Sequence, residues 1–169
     1  MGASSQLAAA QGAVMALLGA AYLRRDRVGL VAFRGEAASV LLPPTSSVEL
    51  ARKKLRGLSS GGATPFADGL LKACGIFRAE KLKGSSREAV LVVISDGEAN
   101  VPLVPGANKL AEIRKLGSLI RAEGVRAVFV DTSPPGAEKP AAEEAAAALG
   151  AEYRRITRPA IRDLVEAAG

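Results

Sequence analysis

Six consecutive apolar residues, Ala89 to Ile94 (AVLVVI), run straight into Ser95-Asp96-Gly97. This run constrains the fold more than any other feature. It is short, rich in β-branched residues and free of polar alternation. It therefore predicts a strand covered on both faces, as in a parallel sheet. Val28 to Phe33 (VGLVAF) and Val125 to Val130 (VRAVFV) read the same way, and Glu152 to Ile156 as a short edge strand. Parallel neighbours need crossovers of about a dozen residues or more. Helical segments supply them: Ser5–Leu23, Ser47 to about Leu58, Thr64–Pro65 to about Lys81, Asn108–Glu123, Ala141–Leu149 and a closing Pro159–Ala168. Ala38–Leu42 follows Phe33 too closely for a crossover, so an antiparallel hairpin ending at Pro43-Pro44 is predicted. The expected fold class is α/β: a mostly parallel sheet with helices on both faces and one antiparallel edge strand. The chain has 169 residues, no internal repeat and no linker, so a single domain over 1–169 is expected.

Composition removes several chemistries. There is no histidine, which excludes a histidine-based triad and histidine-ligated zinc or haem. The single cysteine, Cys74, allows no internal disulfide or multi-cysteine metal site and reads as a small core residue. The glycine-rich loop Ser60-Gly61-Gly62-Ala63-Thr64 has no lysine after its last glycine, and no G-x-G-x-x-G occurs. A nucleotide site is thus weakly supported. The net charge of +6 permits an acidic partner. Arg52, Lys53, Lys54 and Arg56 form a basic helix face, read as solvated; without interleaved aromatics no nucleic-acid partner is expected. Leu7–Leu23 is the most apolar stretch, but it is mostly Ala and Gly, contains Gln11 and follows the uncharged MGASSQ. A buried helix is expected rather than a membrane span, with a cytoplasmic location.

Ligands of such sheets collect beyond the carboxyl ends of the strands. That directs attention to the loops Gly61–Pro65, Asp96–Asn100 and Asp131–Pro135. Alone, Thr64 reads as a helix cap, with Pro65 first in the helix, and Asp96 as part of an Asp-Gly turn. Together, a hydroxyl and a carboxylate on one sheet edge suit a hard cation such as Mg²⁺. In this arrangement the sequence resembles a von Willebrand factor A domain. More narrowly it resembles the A domain of the magnesium chelatase D subunit and its cobalt chelatase relatives. The resemblance rests on Arg24–Leu55 (RRDRVGLVAFRGEAASVLLPPTSSVELARKKL), Gly61–Leu70 (GGATPFADGL), Val92–Leu103 (VVISDGEANVPL) and Val125–Thr132 (VRAVFVDT).

The resemblance implies a metal-ion-dependent adhesion site to which Thr64 and Asp96 contribute. In the family, a D-x-S-x-S after the first strand completes that site. No such strand and motif are recognisable here, and the domain is expected to be N-terminally incomplete. Ser4 or Ser5 is the candidate stand-in for a motif serine. The family's first strand is central, so its absence predicts either that its two neighbours pair with each other or that a gap stands between them. The implied function is a metal-dependent interaction module, not catalytic by itself. It would serve an ATP-dependent chelatase that inserts Mg²⁺ or Co²⁺ into a tetrapyrrole. The implied cofactor is Mg²⁺, bound weakly or not at all by this chain. The implied partners are an ATPase subunit and a porphyrin-binding subunit. The alternative is a stand-alone small α/β enzyme or nucleotide-binding protein.

Overall fold

The computed structural model describes residues 2–58, 62–134, 136 and 140–156, with the side chains of residues 2–6 excepted. Ser59, Ser60, Gly61, Pro135 and the expected helix Pro159–Ala168 lie outside these residues. Helices α1 (Gly2–Arg24), α2 (Val48–Arg56), α3 (Phe66–Leu82), α4 (Lys109–Ala122) and α5 (Pro140–Leu149) alternate with five strands. The strands are β1 (Val28–Arg34), β2 (Ala37–Thr45), β3 (Ala89–Ser95), β4 (Val125–Asp131) and β5 (Glu152–Arg155).

The expected single sheet is corrected to two. β1 and β2 form an antiparallel hairpin, and β3, β4 and β5 form a separate parallel sheet in that order. Among the described residues β1 and β3 do not pair, so of the two expected arrangements the gap is the one found. This alters burial. β3 is the most apolar strand, yet only Val93 and Ser95 in it are buried, while β4 is buried at six of seven positions. Among the described residues β4 has a hydrogen-bonded neighbour on each side and β3 on one side. β1 is likewise half-buried along most of its length.

The helices join the two sheets. On one face Phe66, Ala67 and Leu70 of α3, Ile113, Leu116 and Ile120 of α4, and Ala142, Ala145 and Leu149 of α5 pack on Val93, Ala127 and Phe129, with Phe33 of β1 against them. On the other face α1 spans the gap. Ala13 and Leu17 sit on Val90, Val92, Val128 and Val130, while Leu18 meets Leu42 and the Ala51 and Leu55 face of α2. Period-2 alternation within β4 thus feeds two cores from one strand. Among the described residues one helical window, Leu7–Arg24, is long and apolar enough to cross a membrane by length and composition. It lies against both sheets through Ala13, Leu17 and Leu18, but of residues 7–24 only Ala13 and Leu18 are buried, so the expected buried helix is corrected to a partly exposed one that covers the gap with one face.

Local chemistry explains most boundaries. Ser47 caps α2 by accepting from the Leu50 amide, and Asn108 caps α4 by accepting from Ala111. Asp68, in the first turn of α3, accepts from the Ala38 amide at 2.7 Å and from Lys72 at 2.9 Å, fixing α3 to β2. Burial opposes ionisation of that carboxyl, but the bonds from Lys72 and Ala38 and the lysine charge outweigh it and hold its pKa below the usual value. Pro43-Pro44 does not end its strand: β2 runs on to Thr45, which faces Val28. Among the described residues β2 pairs with β1 alone, so its prolines sit in an edge strand, where a missing N–H is tolerated.

Candidate functional site

Three loops meet at the carboxyl ends of β1 and β3. The β1–β2 turn donates its Gly35 amide to Ala63 O at 2.8 Å. One residue later the Thr64 amide donates to Asn100 Oδ1 at 2.5 Å, and the Asn100 amide returns a bond to Thr64 O at 3.3 Å. Residues 63 and 64 therefore bridge the end of β1 to the loop after β3, across the gap between the sheets. The same Thr64 carbonyl accepts from the Phe66 amide at 2.9 Å. Pro65, not Thr64, is the N-cap residue of α3 and no side chain caps the helix, so the expected threonine cap and the expected place of Pro65 as first helical residue are both corrected.

Asp96 lies in a turn held by its own side chains. The buried Ser95 accepts from the Gly97 amide at 3.1 Å, and Asp96 Oδ1 accepts from the Glu98 amide at 3.1 Å. Gly97 has φ +80°, and a Cβ there would fall inside the backbone of Ala141 and Ala142 at the start of α5. The aspartate is thus positioned from below by β3 and from the side by α5. Thr64 and Asp96 sit in loops joined through Asn100. The sequence reading marked the Asp96–Asn100 loop but gave the asparagine no part. Ser4 and Ser5 fall within α1, and their side chains lie outside the described residues.

No group of three or more His, Cys, Asp or Glu side chains converges among the described residues. Of the family's site positions these loops hold one hydroxyl, Thr64, and one carboxylate, Asp96, with Glu98 a further carboxylate in the same loop. Such hard oxygens fit Mg²⁺ and do not fit a soft metal.

The neighbouring strand end, at Asp131, is a closed structural site. Asp131 is 2% exposed. It accepts from Tyr153 Oη at 2.7 Å and from the Ser133 amide at 2.8 Å, locking β5 and the following loop to β4. Burial, the hydrogen bond to Asp131 and that carboxylate's charge push the Tyr153 pKa up to about 12. A raised folded pKa favours the protonated phenol. The stabilisation is therefore complete below the unfolded value near 10 and is lost as pH rises towards 12. Denaturant melts should show stability falling across pH 10–12. Tyr153→Phe should flatten that limb and cost about 1–3 kcal/mol at pH 7, because a buried carboxylate loses a donor.

A profile for the von Willebrand factor type A domain matches residues 1–98, more than half of the chain. The chain belongs to the von Willebrand factor type A domain family. As such a domain it is 36% identical to the magnesium-chelatase 67 kDa subunit of Chlorobaculum tepidum, over 98% of the chain and 28% of that protein. It is 35% identical to the magnesium-chelatase 60 kDa subunit of Rhodobacter capsulatus, over 99% of the chain and 30% of that protein. The domain thus spans under a third of the length of these relatives. An uncharacterized protein of Methanocaldococcus jannaschii is 38% identical over 79% of the chain and 76% of its own length. The fold is that of the crystal structure of BatB from Bacteroides thetaiotaomicron, with a TM-score of 0.68 at 18% identity over 95% of this chain and 85% of that one. The SpRpn10 von Willebrand factor A domain gives 0.62 at 15% identity over 94% and 82%.

Proposed function

We propose that this domain is a metal-dependent protein-interaction module of an ATP-dependent chelatase that inserts Mg²⁺ or Co²⁺ into a tetrapyrrole. On this reading it is not catalytic by itself and works in the cytoplasm, without a membrane span or a nucleic-acid partner. Its partners are the ATPase and porphyrin-binding subunits. One observation carries the reading: the family's threonine and aspartate positions, Thr64 and Asp96, stand in loops stapled together through Asn100, in a chain similar to magnesium-chelatase subunits over nearly its whole length.

Thr64 and Asp96 would hold Mg²⁺, with water in the remaining positions. A bound Mg²⁺ supplies an electrophilic position that a partner's carboxylate can occupy. The protein's own contribution is orientation. The Thr64–Asn100 bonds hold the hydroxyl loop against the aspartate loop, and the Ser95 and Asp96 side chains keep the turn closed. Two protein oxygens make a poor cage for an ion that dehydrates reluctantly, so weak binding is expected.

The test has two arms. Calorimetry on this chain should give a Mg²⁺ Kd weaker than about 10 μM, roughly −7 kcal/mol. Asp96→Ala should cost about 1 kcal/mol, as for a half-buried turn residue that gives up a local hydrogen bond. Placed in a longer chain carrying a D-x-S-x-S strand, the same substitution should cut ATPase-subunit binding about tenfold in Mg²⁺ and leave it unaltered in EDTA. Equal binding by both forms in Mg²⁺ would refute the metal bridge.

A further inference from the structure

The end of the molecule opposite Thr64 and Asp96 carries a second feature, outside that reading. Thr45 pairs with Val28, so α2 begins at the amino end of β1, beside the last turn of α1. Between the two helices lies a groove of about 370 Å³ lined by Tyr22, Ser46, Ser47, Val48, Glu49 and Arg52. Arg52 Nε is buried there and makes no hydrogen bond among the described residues. The unmet Nε shows that no described residue pairs this donor, and because Arg52 is only part-buried and lines the groove, its guanidinium can take an oxygen acceptor brought from outside. Around it α2 adds the exposed Lys53, Lys54 and Arg56 against a single acid, Glu49. Apolar surface belongs to the lining: Tyr22 is 66% exposed.

We propose that this groove docks an acidic protein segment. Its carboxylate would meet Arg52 and its apolar side chain would rest on Tyr22 and Val48. The charge of α2 sets the sign of the occupant. The apolar rim and Glu49 set its class, because a polyphosphate strand would find one aromatic to stack on and a carboxylate in the groove. With a metal site at the other end, the domain would be a two-ended connector.

Fluorescence anisotropy with a fluorescein-labelled dodecapeptide of Glu and Leu tests this, with the Gln-for-Glu peptide as the uncharged control. The chain should prefer the acidic peptide. Arg52→Gln and Tyr22→Ala should each weaken it about fivefold or more, the scale of one charged or aromatic anchor. Arg52→Gln should leave the melting temperature equal or higher, since it removes an unmet buried donor, so the loss is not unfolding. The double reversal R114E/K115E on α4 changes net charge more, yet should leave binding within about twofold. Binding should be the same in Mg²⁺ and in EDTA, which separates this groove from the Thr64–Asp96 edge. Unchanged binding by Arg52→Gln, an equal loss in the α4 control, or tighter binding of a twelve-nucleotide oligothymidine would overturn the proposal.

Discussion

Gly97→Ala should lower stability by about 3–5 kcal/mol, roughly 10–15 °C in melting temperature for a domain of this size. Two costs add at this one atom. The residue has φ +80°, where an alanine is strained. The added methyl would also have to occupy space held by the backbone of Ala141 and Ala142. Backbone cannot swing aside as a flexible side chain can, so β3 and the start of α5 must separate. Gly106 isolates the first cost. It has the same φ of +80° and nothing within 4 Å of a Cβ, so Gly106→Ala should cost only about 1 kcal/mol. Thermal melts of the two variants provide the check. Similar shifts would mean that the α5 approach is loose and that the Asp96 turn is not braced from that side. Because Gly97 follows Asp96 directly, Gly97→Ala should also displace the carboxylate, whereas Asp96→Ala removes it together with its bond from the Glu98 amide and leaves the Ser95–Gly97 bond and the approach to α5 intact.

The same contrast marks what the sequence could convey. Local signals were legible where the deciding atoms lie within a few residues. The helix starts at Ser47 and Asn108 are legible, and both residues prove to be caps whose side-chain oxygens reach amides three positions on, while the cap expected at Thr64 is not found. The apolar runs are strands, and the short Arg34-Gly35-Glu36 connection is a hairpin. Long-range facts were not legible. Whether β3 pairs with β1 depends on two edges nearly sixty residues apart, and no residue in either strand encodes the gap. The continuation of β2 through Pro43-Pro44 depends on which edge lacks a neighbour, again a property of the sheet. At the site, Thr64 and Asp96 were legible as residue types in marked loops. Asn100 was not, because an asparagine in a Pro- and Gly-containing loop reads as a turn former. Its role arises only when residue 64 is brought alongside.

Phe66 shows how the gap in the sheet shapes the energetics. With no ladder between β1 and β3, the hairpin is attached to the rest of the protein by side chains and helices. Phe66 is the aromatic hinge of that attachment. It is 1% exposed, meets Phe33 of β1 edge-on at 5.3 Å, and lies 6.1 Å from Phe129 of β4. Phe66→Ala should cost about 3–5 kcal/mol, a transfer term plus a cavity that helix and strands on three sides cannot readily close. Phe66→Leu should cost under about 1.5 kcal/mol, because most of the volume stays. The manner of failure is the sharper expectation. If Phe66 couples the sheets, the alanine variant should expose the β1–β2 hairpin to hydrogen exchange before β3 and β4. Uniform loss of protection over both sheets would mean instead that α1, which spans the gap on the opposite face, holds them as one cooperative unit. The Phe66 amide bonds the Thr64 carbonyl, and that carbonyl accepts from Asn100. The substitution should therefore loosen the bridge between the Thr64 and Asp96 loops as it loosens the core, so that the site and the joint between the sheets give way together.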